Sequence, residues 1–262
     1  MIKAKKSLGQ NFLTDQNIIN KIVSILEIKD KSILEVGPGT GNLTLALLKK
    51  KPKKFYVVEK DSYLASLLRE KFKNRITLIN DDILKLNENL ICNEKLTVFG
   101  NLPYNISTEI LCKWILNLDD KKIWFNNLIL MFQKEVADRI ISKYNSSQYG
   151  RLSILANWKL DIEKITDIKP NSFYPKPKID SSLLFFSIKK DFLKIKNPHN
   201  LEKITRIFFS HRRKMIKKPY NQIFGSSTNI SNKLNINLNL RPQNLNFETY
   251  YKLTVEYEKL KS

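Results

Sequence analysis

Four positions in the first half of the chain could hold one small polar ligand between them. Gly37, Glu59, Asp82 and Asn101 each follow a short apolar run, and successive positions are roughly 20 residues apart, the length of one strand–helix unit. Ligands of open α/β sheets bind at the carboxyl ends of parallel strands, so we expect these residues to meet at one edge of a sheet. Their joint spacing predicts a single binding site.

The first position belongs to the segment LEVGPGTGN, residues 34–42. A glycine-rich turn between a strand and a helix lets a cofactor approach backbone N–H groups near a helix N-terminus. The dinucleotide fingerprint G-x-G-x-x-G would need a glycine where this chain has Asn42. With Glu35, the glycines Gly37, Gly39 and Gly41 form E-x-G-x-G-x-G, which is typical of S-adenosylmethionine enzymes. The segment therefore favours S-adenosylmethionine as the cofactor, although a turn without a ligand has the same pattern.

Two carboxylates follow the next two predicted strands. Glu59, in VVEKD, could accept hydrogen bonds from both hydroxyl groups of a ribose. Asp82, in NDDIL, could accept one from the 6-amino group of an adenine. The apolar Ile83 favours Asp82 over its neighbour Asp81, but spacing alone leaves both open, and an N-cap aspartate would have the same pattern.

The fourth predicted strand ends in NLPY, a segment that could activate an aromatic amine. Such an amine is a poor nucleophile because its lone pair is delocalised into the ring. The Asn101 side-chain oxygen and the Leu102 carbonyl could accept its two N–H groups and draw the nitrogen toward sp³ geometry. Pro103 would fix the backbone, and Tyr104 offers a face for a base taken out of its helix. In isolation, the same four residues could form an ordinary turn.

The elements that would position these residues alternate between strand and helix. This order predicts right-handed βαβ units and a parallel sheet. Beside the strand that precedes the glycine loop, we expect strands at 54–59, 75–80, 95–99 and 126–132, and helices at 17–27, 61–72, 107–116 and 133–144, the first with Asp15 as N-cap. The fold class expected is α/β, with the Rossmann-like sheet of S-adenosylmethionine-dependent methyltransferases.

The pattern changes in the second half of the chain. Residues 149–165 and 172–188 indicate antiparallel β-structure, 191–200 a linker, and 200–217 a basic amphipathic helix. We expect a catalytic, cofactor-binding domain over residues 1–190 and a small, basic, helical RNA-binding domain over residues 191–262.

The composition points to a nucleic-acid partner. The net charge of +21 is far above the magnitude of about 2–8 usual for a small domain, so RNA or DNA is the expected partner, unless the lysines reflect a biased genome.

The two cysteines, Cys92 and Cys112, do not form a zinc-binding pattern with His199 and His211, so we expect no metal. We expect both cysteines to be buried thiols in a reducing cytoplasm. The N-terminus lacks the apolar core of a signal peptide, and no stretch is long enough for a membrane span.

Segments along most of the chain resemble one family, the bacterial small-subunit (16S) ribosomal RNA adenine dimethyltransferases. In chain order they are KKSLGQNFLTD, LEVGPGTGNLT, VVEKD, VFGNLPYNIST, FQKEVADR, YGRLS, FYPKPKIDSS and FFSHRRK. The resemblance runs from about residue 5 to 215 and is loose after residue 219. It implies dimethylation of N6 of two adjacent adenosines in the 3′-terminal hairpin loop of the small-subunit rRNA. The expected partner is this rRNA within a pre-30S particle, and a monomer is expected because nothing in the sequence demands a dimer.

The resemblance implies roles that spacing does not reveal. Asn11 and Leu13 would contact the cofactor, and Asn101 would contact both the cofactor and the target adenine. Phe173 would stack on the other face of that adenine, unless it is a core residue.

The family pattern also extends to the basic segment FFSHRRK. Arg212, Arg213 and Lys214 would lie on rRNA phosphates, unless they form a solvated helix face.

Three other functions compete with this interpretation. Large-subunit rRNA adenine methylases of the macrolide-resistance type have a similar loop and NxPY motif, but the LGQNFL and FYPKPKIDS segments favour the small-subunit enzymes. A non-catalytic ribosome assembly factor could have the same fold, although the intact Asn101–Tyr104 segment argues against it. A nicotinamide-dependent dehydrogenase is disfavoured by Asn42 and by the positive charge.

Overall fold

A computed structural model describes residues 4–5, 8–118, 122–226 and 229–261. Two residues of the KKSLGQNFLTD segment, Lys6 and Ser7, lie outside these ranges.

Seven strands form one sheet in the order β4-β3-β2-β5-β6-β9-β7. The pairs among β2 to β6 are parallel, and β9 is antiparallel to β6. Chain order reverses between β2 and β5, which is where open α/β sheets form a ligand crevice. The strands are β2 Ser32–Val36, β3 Lys54–Val58, β4 Thr77–Ile79, β5 Leu96–Gly100, β6 Phe125–Gln133, β7 Leu160–Ile168 and β9 Ser181–Ile188.

Two further strands, β1 (Phe12–Leu13) and β8 (Phe173–Tyr174), form a small antiparallel sheet. The α-helices are α1 Gln16–Val23, α2 Asn42–Lys49, α3 Ser62–Phe72, α4 Ser107–Leu116, α5 Lys134–Ile141, α6 Arg151–Lys159, α7 Pro198–Phe209, α8 Lys217–Phe224, α9 Ile230–Lys233 and α10 Phe247–Lys259.

The α/β fold class is confirmed, and so are most elements of the first half. Helix α4 has the predicted bounds, and Asp15 caps α1 by accepting hydrogen bonds from the N–H groups of Asn17 and Ile18. The sheet is parallel over β2 to β6, as the strand–helix alternation predicts.

Two predictions for the second half are wrong. Residues 151–159 form a helix instead of β-structure. The sequence pattern does not reveal this helix, because α6 is buried over most of its residues and has no one-sided apolar pattern. The helix predicted at 200–217 ends at Phe209, and the Ser210 hydroxyl donates to the Ile207 carbonyl of its last turn (2.8 Å). A turn follows, and α8 begins at Lys217.

Residue contacts divide the chain into two compact units. Unit 1 comprises residues 1–113, 118–137 and 162–188, and unit 2 comprises residues 114–117, 138–161 and 189–262. The core of unit 1 packs α1, α2 and α3 on the sheet, with Ile22, Ile33, Leu47 and Val57 fully buried. The core of unit 2 is centred on α6, α7 and α10, with buried Ile154, Phe208 and Leu253.

Other sequence expectations concern isolated features. Cys92 and Cys112 are half-buried, not buried as predicted. Within the described ranges, no group of three His, Cys, Asp or Glu residues could hold a metal ion. None of the helices in those ranges is long and apolar enough to span a membrane.

Candidate active site

A cleft in unit 1 opens where the strands β2 to β5 end. Its walls come from the N-terminal segment, the glycine loop and the segments that follow β3, β4 and β5: residues 8–12, 36–39, 58–60, 64, 81–83 and 101–106. It encloses about 940 Å³ of empty space, counting its open mouth, which suits a small-molecule ligand. The four residues that spacing brought together, Gly37, Glu59, Asp82 and Asn101, all line this cleft.

The glycine loop is shaped by backbone conformations that favour glycine. Gly37, Gly39 and Gly41 have φ angles of 71°, 56° and 76°. Side chains would also collide there, because a Cβ atom on Gly39 would lie 2.6 Å from the ring of Phe12. The tight fit leaves the loop backbone as the surface that faces a ligand in this part of the cleft.

Glu59 presents a buried carboxylate to the cleft. Its two oxygens accept hydrogen bonds from the backbone N–H groups of Gly39 (3.2 Å) and Asp61 (2.9 Å). Burial raises the pKa of Glu59, while these two hydrogen bonds oppose the shift. The side chain is thereby fixed in orientation, and each oxygen keeps a further lone pair for a hydroxyl donor.

Asp82 lines the cleft with its neighbour Asp81. One oxygen of Asp82 accepts from Lys60 Nζ (2.8 Å), and the other accepts from the backbone N–H of Leu84 (3.0 Å). The hydrogen bond from Lys60 is the main reason that the pKa of Asp82 is lowered. Asp82 is therefore a fixed carboxylate that caps a turn and not a helix, and its contact with adenine stays a prediction.

The Asn101 side chain is oriented by the N-terminal segment. Its Nδ2 donates to the backbone carbonyl of Asn11 (2.7 Å), which leaves Oδ1 as the acceptor of the amide. A Cβ atom on Gly37 would lie 3.2 Å from the Asn101 carbonyl oxygen, so the glycine loop and NLPY are in close contact. The segment thus presents an acceptor beside the loop.

Tyr104 also lines the cleft, and its hydroxyl group is hydrogen-bonded to a residue that is distant in the chain. The hydroxyl lies 2.5 Å from Ser181 Oγ, at the first residue of β9. Burial raises the pKa of Tyr104, and the hydrogen bond with Ser181 opposes this. Leu102 is buried, and Pro103, which precedes Tyr104, lines the cleft.

Leu13 and Phe173 are placed differently from the other predicted site residues. They pair across β1 and β8, are 5% and 3% exposed, and belong to the core of unit 1 without lining the cleft. The Leu13 carbonyl accepts from Asn42 Nδ2 (2.9 Å), which joins β1 to the start of α2. Stacking of Phe173 on a base stays a prediction, and its burial favours the core alternative.

The basic segment 212–214 lies in a turn of unit 2, so it is not part of a helix face. Arg213 and Lys214 are exposed. The Arg212 guanidinium instead donates to Gln243 Oε1 (3.0 Å) and to the carbonyls of Ser146 (3.3 Å) and Ser147. Arg212 therefore supports the loop that precedes α6.

Sequence reasoning missed the residues that brace the cleft. Asp61 caps α3 and also accepts from Lys5 Nζ (3.0 Å) and Gln10 Nε2 (3.1 Å), which ties the N-terminal segment to the cleft. Ser181 and Lys113 likewise act through long-range hydrogen bonds. Gln10 and Ser181 lie within the family motifs LGQNFL and KIDSS, which is their sequence signal, whereas Lys113 lies in none of those motifs.

The parallel sheet, the positive-φ glycine loop and the cleft at its switch point define a Rossmann-like, S-adenosylmethionine-dependent methyltransferase. The family model described as ribosomal RNA adenine dimethylase matches residues 1–259. The chain belongs to this family, whose members are adenine dimethyltransferases that use S-adenosylmethionine.

Relatives and solved structures agree with this assignment. The chain is 65% identical to ribosomal RNA small subunit methyltransferase A of Pelagibacter ubique, over 99% of both chains. It is 40% identical to the protein of that name from Ehrlichia ruminantium, over 95% of both. A dimethyladenosine transferase from Plasmodium falciparum is similar in structure, with a TM-score of 0.77 and 26% identity over 95% of this chain and 98% of that one. The 23S rRNA methyltransferase ErmE, at 22% identity and a TM-score of 0.68 over 96% and 100% of the two chains, shares the fold.

Proposed function

We propose that this chain dimethylates N6 of two adjacent adenosines in the 3′-terminal hairpin loop of small-subunit ribosomal RNA. The observation that carries the proposal is the close approach of the glycine loop and NLPY, which puts a cofactor-binding backbone beside an oriented amide acceptor. The name of the 65%-identical relative supports the small subunit as the substrate over the large subunit.

The cleft residues fit S-adenosylmethionine part by part. The backbone at Gly37 and Gly39 would face the amino-acid portion, and the two fixed oxygens of Glu59 suit the ribose hydroxyls, which donate. Asp82 would accept from the adenine 6-amino group, with the apolar Ile83 against the ring. Asn11 would complete the wall from the N-terminal segment. Leu13 would act from behind that wall, by holding β1 in place.

The acceptor segment would raise the nucleophilicity of the target amine. Oδ1 of Asn101 and the carbonyl of Leu102 accept its two N–H groups, which reduces delocalisation of the lone pair into the adenine ring. Tyr104, held by Ser181, stacks the extruded base. S-adenosylmethionine supplies an electrophilic methyl group on a sulfonium that leaves as a neutral thioether. The chain needs no strong general base, because an amine that has gained a methyl group and still carries its proton is very acidic. Catalysis is then mainly positioning and electrostatics.

Unit 2 would bind rRNA phosphates. We infer that Arg213 and Lys214, which are exposed, lie on these phosphates, whereas Arg212 supports them by fixing the 146–147 loop. The net charge of +21 is suited to a polyanionic substrate. In this proposal residues 1–190 carry the catalytic function and 191–262 the basic helical RNA-binding function, in a cytoplasmic monomer that acts on a pre-30S particle.

Methyl transfer to isolated ribosomal subunits tests the proposal. Small subunits that lack the modification are incubated with the chain and labelled S-adenosylmethionine, and their rRNA is digested for mass spectrometry. We expect label in small subunits, as N6,N6-dimethyladenosine, and none in large subunits. Label in large-subunit rRNA would move the chain to the resistance-type methylases, and tight binding without label would favour an assembly factor.

Variants in the basic segment test the binding of RNA phosphates. Arg213→Met and Lys214→Met together should weaken small-subunit binding and make the affinity less salt-dependent, by about one unit of log–log slope for each phosphate that is no longer neutralised. Arg212→Met is the comparison, and it should lower the thermal stability of the protein more than its salt slope. An unchanged salt slope in the double variant would remove this segment from the interface.

A further inference from the structure

The ammonium group of Lys113, in α4, is bound to the segment that follows β4. Nζ donates to the carbonyl oxygens of Ile83 (2.7 Å) and Leu86 (2.5 Å) and to Glu88 Oε1 (2.6 Å). The side chains of Lys113 and Glu88 are 17% and 7% exposed. An ammonium group has three N–H donors, so these acceptors use all of them.

The bound segment, residues 82–88, carries one wall of the cleft. Asp82 and Ile83 line that wall, and the Asp82 carbonyl accepts from the N–H groups of Lys85 (2.8 Å) and Leu86 (3.3 Å), which forms a tight turn. Lys113 binds this turn at two carbonyls and at the carboxylate that follows it. Its own helix begins at Ser107, directly after the cleft-lining segment 101–106. One side chain therefore connects the wall expected to hold adenine with the helix that follows NLPY.

We propose that Lys113 is a positioning residue for the cofactor, which sets how tightly the adenine ring is held. It acts through the carboxylate of Asp82, because the position of this group relative to the 6-amino group depends on the turn that Lys113 holds. The inference rests on the proposed placement of S-adenosylmethionine in the cleft. It adds a residue that neither the spacing of the motifs nor the chemistry of the NLPY segment selects.

The chain offers a matched lysine for comparison. Lys53 pairs with Glu94 at 2.6 Å, the same distance as Lys113 with Glu88, but both of its charged groups are exposed and it lies before β3, away from the cleft-lining segments. Lys53→Met should therefore leave the affinity for the cofactor product unchanged. This variant separates the removal of any lysine–glutamate pair from the removal of the hydrogen bonds of Lys113.

Titration calorimetry with two ligands tests the proposal. The ligands are S-adenosylhomocysteine and S-inosylhomocysteine, in which a 6-oxo group replaces the 6-amino group that Asp82 would accept. Lys113→Met should raise the Kd of S-adenosylhomocysteine about tenfold, the size of one lost hydrogen bond to a charged group, and that of S-inosylhomocysteine by less than about twofold. Calorimetry also reports the binding-competent fraction, so a partly unfolded variant does not imitate weak binding.

A conservative variant guards against a general loss of structure. Lys113→Gln keeps part of the donor set and should give an intermediate loss for S-adenosylhomocysteine. An equal loss for both ligands, or no loss for either, would overturn the positioning role while leaving the methyltransferase intact. A wild-type chain that binds no S-adenosylhomocysteine would overturn the proposed cofactor site as well.

Discussion

The glycine loop and the NLPY segment line the same cleft, but they are held in shape by different means. Gly37, Gly39 and Gly41 have positive φ angles, so the loop is specified by its own residues. NLPY depends on partners far along the chain, since Asn101 bonds to a residue 90 positions away and Tyr104 to one 77 positions away. Local backbone conformation thus shapes the expected cofactor loop, whereas tertiary hydrogen bonds orient the expected acceptor segment.

The largest effect is expected at Asn101, on the tertiary side of this comparison. Asn101→Ala removes the oriented acceptor and should lower the single-turnover rate of methyl transfer about 10³-fold, as loss of a preorganised hydrogen-bonding group does in other active sites. Asn126→Ala, at an exposed position on β6, is the control and should be neutral. Small-subunit affinity should stay within about twofold in both variants, since rRNA phosphates supply most of the binding. Unchanged turnover in Asn101→Ala would refute the proposed hydrogen bonds to the amine.

The second effect tests the local side. Gly39→Ala combines a φ of 56° with a Cβ atom 2.6 Å from Phe12, so strain of about 1–3 kcal/mol should weaken S-adenosylhomocysteine binding by about tenfold or more. Gly225→Ala is the matched control, because its φ is 78° but nothing lies within 4 Å of the added Cβ. This control should cost stability without changing the Kd, measured by calorimetry. Equal Kd values for the two variants would show that the close approach to Phe12 has no functional role.

A smaller effect is expected from the hydrogen bond between Tyr104 and Ser181. Tyr104→Phe and Ser181→Ala should each lower the methyl-transfer rate by about five- to tenfold, the value of one hydrogen bond that fixes a side chain. The double variant should be no worse than either single one, because both remove the same bond. Additive losses in the rate would mean that the two side chains act independently.

The smallest effect is expected at Glu35, in β2 directly before the glycine loop, and it concerns the stability of the protein. Burial raises the pKa of Glu35 to about 8 from its ordinary 4.5, although the Thr44 hydroxyl donates to it at 2.6 Å. The folded protein then binds a proton that the unfolded chain releases, so the contribution of Glu35 to stability is greatest below pH 4.5 and falls as pH rises toward about 8. Glu35→Gln should remove this part of the pH dependence in thermal unfolding. An identical pH profile would show that Glu35 does not titrate in this range.

The same contrast explains which features the sequence predicts. The alternation of strands and helices and the glycine pattern are local features of the sequence. They predict the parallel sheet, α4 and the position of Gly37, Glu59 and Asp82 in the cleft. Helix α6 is not predicted, because most of its residues are buried and its apolar residues therefore do not repeat at helical spacing. The hydrogen bond of Ser181 and the three hydrogen bonds of Lys113 are tertiary, and no strand or helix periodicity predicts them.

Arg212 and Phe173 show the limit of carrying roles over by motif. Arg212 stands in a basic run, yet its guanidinium bonds to backbone carbonyls of another loop. Phe173 stands beside a Pro-rich turn and is buried, while its neighbour Tyr174 is 50% exposed. Residue type and position in a motif predict where the backbone passes, but the packing of the rest of the fold decides which side chain faces outward.

A crystal structure of the chain with S-adenosylhomocysteine tests the central claim most directly. We expect the adenine beside Asp82 and Ile83, the ribose hydroxyls on Glu59, and the sulfur on the side of the cleft formed by Gly37 and Asn101. Ligand density outside the cleft, or in it with the adenine beside Asn101, would contradict the account.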